Sequence, residues 1–289
     1  MKVALITDTG SGMSRKEAEE LGIYLAPIPF IIDGEDYEEG VNLTEEEFYE
    51  KLMNGADVST SQVNVAAMEQ LWAELLKTYD EIVYIPLSSG LSASCENLIA
   101  ASRNFDGKVF VVNNKRISVT QKRSALDALE LIKEGKTGKE IKEFLENTGS
   151  QSSIYIMVTT LKYLKKGGRI TPAAAAIGTL LKIKPILQIQ GDKLDKFAQV
   201  ISYQQGKKKM IDQLIHDIEN RFKDIVNQGK FEVFIAYTHC LDKAKELENE
   251  VNAAIAKYNL KVSYVNPLSL PIACHIGDGS LAVACSIIH

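Results

Sequence analysis

The chain has 289 residues, with 33 Lys plus Arg and 38 Asp plus Glu, so its formal net charge is −5. A mildly acidic chain has no overall attraction for nucleic acid or anionic lipid, so any anion that it binds must be held by a local site. Hydrophobic residues make up 45% and charged residues 25%, as in an average soluble globular protein, and the length is compatible with two domains or one large one.

The N-terminal sequence and the cysteines predict a cytoplasmic protein. The apolar run after Lys2 is too short for a signal peptide, and no stretch reaches the roughly 20 apolar residues that span a bilayer. The four cysteines are scattered, without a CxxC pair or a nearby histidine at metal-ligand spacing. We therefore expect buried, reduced thiols and no metal site at Cys95, Cys240, Cys274 and Cys285.

In the first half of the chain, apolar strand-like runs alternate with helical patterns. Pro27 and Pro29 place the second run at a sheet edge. Strands are expected at Lys2–Thr7, Ile23–Ile32, Ile82–Leu87 and Val109–Val112. Helices are expected after the capping pairs Ser14/Glu17, Thr44/Glu47 and Thr137/Glu140. The alternation predicts an α/β fold with a mostly parallel sheet and helices on both faces.

The second half is less regular and predicts a mixed α/β domain. The polar stretch Asn147–Ser153 suggests domains of residues 1–150 and 151–289. Small and apolar residues at Ala173–Leu181 could line a cavity or form an ordinary packed helix. The expected elements are a strand at Ile154–Val158, a helix at Leu161–Lys166, a hairpin of Pro185–Gln190 and Lys193–Ile201 around Gly191 and Asp192, a long helix through Met210 and Phe222, and strands at Val233–Tyr237 and Lys261–Val265.

Three hydroxyl-rich loops follow apolar runs of the first half. They are TDTGS at Thr7–Ser11, STSQ at Ser59–Gln62 and SSGLS at Ser88–Ser92. Ligands of open α/β sheets bind at the carboxyl ends of strands, where helix N-termini favour anions. Serine and threonine hydroxyls there can donate hydrogen bonds to a carboxylate or a phosphate. The same residues also serve as helix caps or turn residues, so both interpretations stay open.

Common catalytic and nucleotide-binding motifs are absent from the sequence. SSGLS does not match the Gly-x-Ser-x-Gly nucleophile elbow, and neither the P-loop nor the dinucleotide fingerprint occurs. We therefore expect no nucleotide cofactor. His275, which is followed by Gly277 and Gly279, and the cationic turn that contains Arg169 are each compatible with a site or with a structural role.

At these residues the sequence resembles the DegV family over essentially its whole length. Each motif is a weak pattern by itself, but their common order over almost the entire chain makes chance agreement unlikely. The matching motifs are TDTGS at Thr7–Ser11, TSQ at Thr60–Gln62, PLSSGLS at Pro86–Ser92, LKYLKKGGRI at Leu161–Ile170, KPIL at Lys184–Leu187 and HIGDG at His275–Gly279.

The resemblance implies a two-domain α/β protein that binds one long-chain fatty acid and is not itself catalytic. Family members of known role deliver the acid to an ATP-dependent fatty acid kinase, which forms the acyl phosphate. Thr60 and Ser92 match the family's carboxylate-binding hydroxyls, and His275 matches its histidine near the carboxylate. The remaining matching positions are Ser61, Ser88, Ser89 and Gly90 in the hydroxyl loops and Gly168 and Arg169 in the GGR segment.

The sequence departs from the family pattern at a few positions. The first loop has Asp8-Thr9-Gly10-Ser11 where Asp-Ser-x-Ser is frequent, Asn113-Asn114 stands where Asp-Ser is usual, and Asp278 replaces a proline. These changes bear on the kinase partnership and on the identity of the acid. The alternatives are a serine acyl hydrolase that uses Ser89 or Ser92 with His275, a phosphotransferase-type subunit, and a structural or regulatory partner protein.

Overall fold

A computed structural model describes residues 1–176, 183–190 and 193–289. The chain forms two compact units, each with its own hydrophobic core. The first comprises Met1–Ser150 together with Ser269–Pro271 and His289, and the second comprises Gln151–Leu268 and Ile272–Ile288. Among the described residues, no helix combines the length and apolar character required to cross a membrane.

The first unit is built on a four-stranded sheet in which all neighbouring strands are parallel. Its order is β2-β1-β6-β7. After β1 the chain adds β2 on one side of β1 and later adds β6 on the opposite side of β1. The carboxyl ends of β1 and β6 therefore border the position at which the strand order reverses, where open α/β sheets bind ligands. The unit's strands are β1 (Val3–Asp8), β2 (Tyr24–Ala26), β3 (Phe30–Ile32), β4 (Glu35–Tyr37), β5 (Val58–Thr60), β6 (Glu81–Ile85) and β7 (Val109–Val111).

Helices cover both faces of this sheet, as the sequence pattern predicts. The buried residues of α3 and α4, including Trp72, pack on one face. The buried residues of α1, α5 and α6, including Ile141, pack on the other. The helices are α1 (Arg15–Leu21), α2 (Glu45–Met53), α3 (Val65–Leu75), α4 (Ser94–Ser102), α5 (Ser118–Lys133) and α6 (Gly138–Asn147).

The predicted edge strand Ile23–Ile32 is in fact two strands in different sheets. β2 forms the edge of the parallel sheet, whereas β3 is the centre of a three-stranded antiparallel sheet of order β4-β3-β5. Pro27 and Pro29 lie between them and cannot donate to a strand ladder, so the run is divided there. Ser59 and Thr60, predicted as part of a loop, are the last residues of β5.

The second unit is a six-stranded mixed sheet of order β10-β9-β8-β13-β11-β12. Within this sheet, of the strands that the structure describes, only β11 and β12 pair in parallel, and the remaining neighbours are antiparallel. Residues 177–182 and the expected turn at Gly191 and Asp192 lie outside the described residues, so the segment Ala173–Leu181 is described only through Ala176. The strands are β8 (Ser152–Met157), β9 (Lys184–Ile189), β10 (Asp195–Val200), β11 (Phe231–Tyr237), β12 (Val262–Pro267) and β13 (Leu281–Ile287).

The long helix expected through Met210 and Phe222 is interrupted. A π-helical turn at Asp217–Arg221 separates α9 from α10, although the predicted apolar stripe stays buried across it. Neither α12 nor the fully buried strand β13 is predicted by the sequence pattern. The helices that follow β8 are α7 (Lys162–Gly167), α8 (Pro172–Ala175), α9 (Tyr203–His216), α10 (Lys223–Asn227), α11 (Leu241–Ile255) and α12 (Leu270–Ile276).

Candidate functional site

The loop after β6 folds into a tight turn that contains three predicted site residues, Ser89, Gly90 and Ser92. The Leu91 and Ser92 amides both donate to the Ser88 carbonyl, over 3.0 and 3.1 Å. The Gly90 amide donates to Ser88 Oγ over 3.3 Å. Ser88 itself is buried, whereas Ser89, Gly90 and Ser92 are half-buried. The turn thus leaves these three residues partly accessible at the carboxyl edge of the sheet.

Ser92 lies two residues before α4 and bonds to its first residue. Ser92 Oγ donates to Ser94 Oγ over 3.0 Å and accepts from the Ser94 amide over 3.2 Å. Ala93, at the N-cap position, supplies no side-chain cap to the helix. The positive end of the α4 dipole therefore lies beside the Ser92 hydroxyl, an arrangement that favours an anion.

The structure brings the segment that follows Thr60 and Ser61 to the N-terminal part of α4. Val63, three residues after Thr60, donates its amide to Ser94 Oγ over 3.2 Å. A second hydrogen bond links the same segment to α4, because Asn97 Nδ2 donates to Gln62 Oε1 over 2.6 Å. Thr60 is fixed by pairing with Phe30 in the ladder of β3 and β5. Two hydroxyl-bearing segments are therefore held together through Ser94, a residue that was not predicted as part of the site.

A second residue that was not predicted as part of the site, Asp8, anchors the same turn from the end of β1. Its Oδ2 accepts the Leu87 amide over 2.7 Å. Its Oδ1 accepts the Gly10 amide over 3.0 Å and Gln121 Nε2 over 2.9 Å. The sequence signal was an aspartate placed directly after a strand, but only the fold reveals its contact with a loop 79 residues away.

Burial raises the pKa of the Asp8 carboxyl to about 6, although the amides of Leu87 and Gly10 and the side chain of Gln121 lower it. Desolvation disfavours the charged form, whereas hydrogen-bond donors to the carboxylate favour it. The three donors thus compensate part of the cost of burial. At neutral pH the carboxylate is ionised and can act as an acceptor for all three N–H groups.

The predicted residues Gly168, Arg169 and His275 come together in the second unit. Gly168 ends α7 in the left-handed conformation, with φ of 68°. Arg169 Nη1 donates to the Gly167 carbonyl. The His275 ring, in the last turn of α12, packs so closely on Gly167 that a Cβ there would lie 2.5 Å from His275 Nδ1.

Burial lowers the pKa of His275 to about 4, and the charge of Arg169 adds to the shift. The imidazole is consequently neutral at physiological pH and can donate one hydrogen bond and accept another. The cation of this group is Arg169. An arginine beside a neutral histidine can bind an anion, but the same contacts also support the fold of the α7 turn.

The remaining sequence predictions concern cysteines and metals. Cys95, Cys274 and Cys285 are buried free thiols, and Cys240 is half-buried. Within the described ranges, no group of three or more His, Cys, Asp or Glu side chains could hold a metal ion. His216 and His239 are exposed.

The family model described as "Uncharacterised protein, DegV family" matches residues 2–287. The chain belongs to the DegV family. A DegV domain-containing protein from Clostridium perfringens is 30% identical over 290 residues, covering 98% of this chain and 96% of the relative. The resemblance inferred from the ordered motifs is thereby confirmed.

Solved DegV structures share the fold of this chain. A fatty acid binding DegV family protein from Streptococcus agalactiae is 27% identical, with full coverage of both chains and a TM-score of 0.87. A fatty-acid-binding DegV family protein from Thermus thermophilus is 25% identical, with full coverage of both chains and a TM-score of 0.88. DegV from Bacillus subtilis, a fatty acid binding protein, is 27% identical, with 99% of each chain covered and a TM-score of 0.85. The predicted DegV-like α/β fold is confirmed.

Proposed function

We propose that this protein binds one long-chain fatty acid and holds its carboxylate on the hydroxyls of Thr60 and Ser92. Ser61, Ser89 and Gly90 shape the surrounding loops. The observation that carries the proposal is the joining of two hydroxyl segments at the N-terminus of α4, through the bonds of Ser94 to Ser92 and to Val63. The fatty acid binding of the DegV relatives supports the choice of ligand.

The chemistry of the first-unit site suits a carboxylate without requiring a catalytic group. A buried carboxylate needs donors that replace its water, and neutral hydroxyls together with a helix N-terminus provide them. The acyl chain supplies the affinity, because burying each CH2 contributes about 0.8 kcal/mol and a sixteen-carbon tail on the order of 10 kcal/mol before ordering costs. Gly168, Arg169 and His275, which lie together in the second unit, are proposed as further ligand-binding residues because they match motifs of the family.

An acyl hydrolase is the alternative from a different class. A serine nucleophile needs a general base within hydrogen-bond reach. The Ser92 hydroxyl instead donates to Ser94 Oγ, and a neutral serine hydroxyl cannot serve as that base. The contact thus gives no support to a nucleophilic Ser92, and in the proposed binding function the hydroxyl turns from Ser94 to donate to the ligand carboxylate.

The direct test is the lipid content of the purified protein. We expect gentle extraction to release about one fatty acid per chain, detected by mass spectrometry, and the delipidated protein to take up palmitate at one-to-one stoichiometry. A protein that is empty as purified and that also fails to take up palmitate contradicts the proposal. Turnover of acyl esters that disappears in Ser92→Ala would instead establish the hydrolase.

We also propose that the bound acid is presented to an ATP-dependent fatty acid kinase, in which this protein is the non-catalytic lipid-carrying subunit. Incubation of the palmitate-loaded protein with a bacterial fatty acid kinase and ATP is expected to form acyl phosphate, which hydroxylamine traps as the hydroxamate. Palmitate without the protein is the control. Equal hydroxamate with and without the protein would contradict the carrier role but not the proposal that the protein binds palmitate.

A further inference from the structure

Asp8 connects the end of one central strand to the turn that contains Ser92. Its carboxylate is fully buried and accepts the Leu87 amide over 2.7 Å. From Leu87 the backbone continues into Ser88, whose carbonyl accepts the Ser92 amide over 3.1 Å. The contact thus fixes the start of the turn whose end presents the Ser92 hydroxyl.

The surroundings of Asp8 are arranged for an ionised acceptor. Gln121 Nε2 donates to Asp8 Oδ1 and, over 3.1 Å, to the carbonyl of Ile85 at the end of β6. A Cβ at Gly10 would lie 2.8 Å from Asp8 Oδ1, so glycine leaves the space that this carboxylate oxygen occupies. The Asp8 carboxylate and the Gln121 side-chain amide therefore link the end of β1, the end of β6 and the start of the loop that follows β6.

We propose that Asp8 is a positioning residue, whose ionised carboxylate holds the Leu87 amide and thereby keeps the Pro86–Ser92 turn ready to bind an anion. The inference rests on the proposed function, because it assigns the ligand carboxylate to Ser92. Asp8 acts through the backbone and need not touch the ligand.

The contact should weaken when Asp8 takes up a proton, since the neutral acid is a poorer acceptor than the carboxylate. Burial raises the pKa of Asp8 to about 6. Among the described residues, Tyr84 on β6 and Cys95 on α4 are titratable groups that interact with the Asp8 charge. Burial raises the pKa of Tyr84 well above its usual value and that of Cys95 to about 12, so neither changes charge between pH 5 and 7.5.

The experiment compares Asp8→Asn with Asp217→Asn, at a buried aspartate of the second unit that accepts the Tyr155 hydroxyl over 2.6 Å. An asparagine at position 8 places an NH2 group where an oxygen accepted an N–H. We expect palmitate to bind Asp8→Asn about tenfold more weakly at pH 7.5, and Asp217→Asn within about twofold of the unsubstituted protein. Unchanged affinity in Asp8→Asn, or an equal loss in both variants, would overturn the proposal.

Amide exchange of the ligand-free protein provides a second readout. At pH 5 a group with a pKa of about 6 is about 90% protonated. The protection factor of the Leu87 amide should therefore fall several-fold between pH 7.5 and 5, and this change should be absent in Asp8→Asn. A flat profile in the unsubstituted protein contradicts the proposal even if Asp8→Asn fails to fold. Because this measurement uses no fatty acid, it tests the contact between Asp8 and the Leu87 amide independently of whether the protein binds palmitate.

Discussion

Removal of the Thr60 or Ser92 hydroxyl is the most direct perturbation of the proposed carboxylate site. Thr60→Val keeps a β-branched residue at the end of β5 and leaves the backbone pairing with Phe30 intact. Ser92→Ala removes a hydroxyl that also bonds to Ser94. The first change thus deletes one donor, and the second deletes a donor together with a local constraint.

The magnitude follows from the chemistry of the lost contact. A hydrogen bond to a charged group is worth about 1.5–3 kcal/mol, which corresponds to about a 10- to 150-fold increase in Kd. Ser92→Ala should lie toward the upper end, because it also releases the Ser94 side chain that accepts the Val63 amide. We expect His275→Ala to weaken palmitate binding less than either hydroxyl variant does.

Isothermal titration of delipidated protein with palmitate measures these affinities, with thermal unfolding to check that each variant is folded. Ser102→Ala is the matched control, since the Ser102 hydroxyl donates to the Ile99 carbonyl near the end of the same helix that Ser92 precedes. It should bind palmitate with unchanged affinity. If Thr60→Val and Ser92→Ala both bind like the unsubstituted protein, the carboxylate does not lie on these hydroxyls and the reasoning is wrong.

Three further predictions concern the second unit. Burial and the charge of Arg169 lower the pKa of His275 to about 4, so folding stability should fall by at most about 3 kcal/mol as the pH drops from 6.5 to 4. In Arg169→Met, an NMR titration should show a higher pKa for His275, because the neighbouring positive charge is gone. Gly167→Ala should destabilise the protein by about 1–3 kcal/mol in urea unfolding, since the added Cβ would lie 2.5 Å from His275 Nδ1. Tyr155→Phe should cost about 1–3 kcal/mol in the same assay, because it removes the donor to the buried carboxylate of Asp217.

Each of these three predictions has its own refuting result. An NMR titration of His275 with a midpoint near 6.5 would show that its surroundings do not exclude the charged form. Urea midpoints of Gly167→Ala equal to those of the unsubstituted protein would mean that the ring moves away at no cost. An unchanged stability of Tyr155→Phe would show that the bond to Asp217 makes no net contribution.

Local sequence patterns determined much of the first unit. The predicted capping pairs Thr44/Glu47 and Thr137/Glu140 form complete capping boxes, and Gly22 ends α1 in the left-handed conformation. These features depend on residues within one turn of each other, so no tertiary information is needed to foresee them. The family was likewise readable from the sequence, because its motifs keep their order along the chain.

Features that depend on distant partners were not predictable in this way. Ser59 and Thr60 belong to a strand because β3 offers them a ladder, although their own sequence is typical of a loop. β13 takes its central place between β8 and β11, although Met157 and its ladder partner Leu281 are far apart in the chain. Strand pairing of this kind is decided by long-range packing, for which periodicity carries no signal.

The same distinction between local and long-range information applies to the candidate site. The sequence determined which hydroxyl residues were candidates, because Thr60 and Ser92 lie in motifs shared with the family. Only the tertiary structure decided that Ser94 joins their segments and that Asp8 holds the turn before Ser92. A buried carboxylate is tolerated only where donors surround it, and the fold gathers those donors from Gly10, two residues away, and from Leu87 and Gln121, far along the chain.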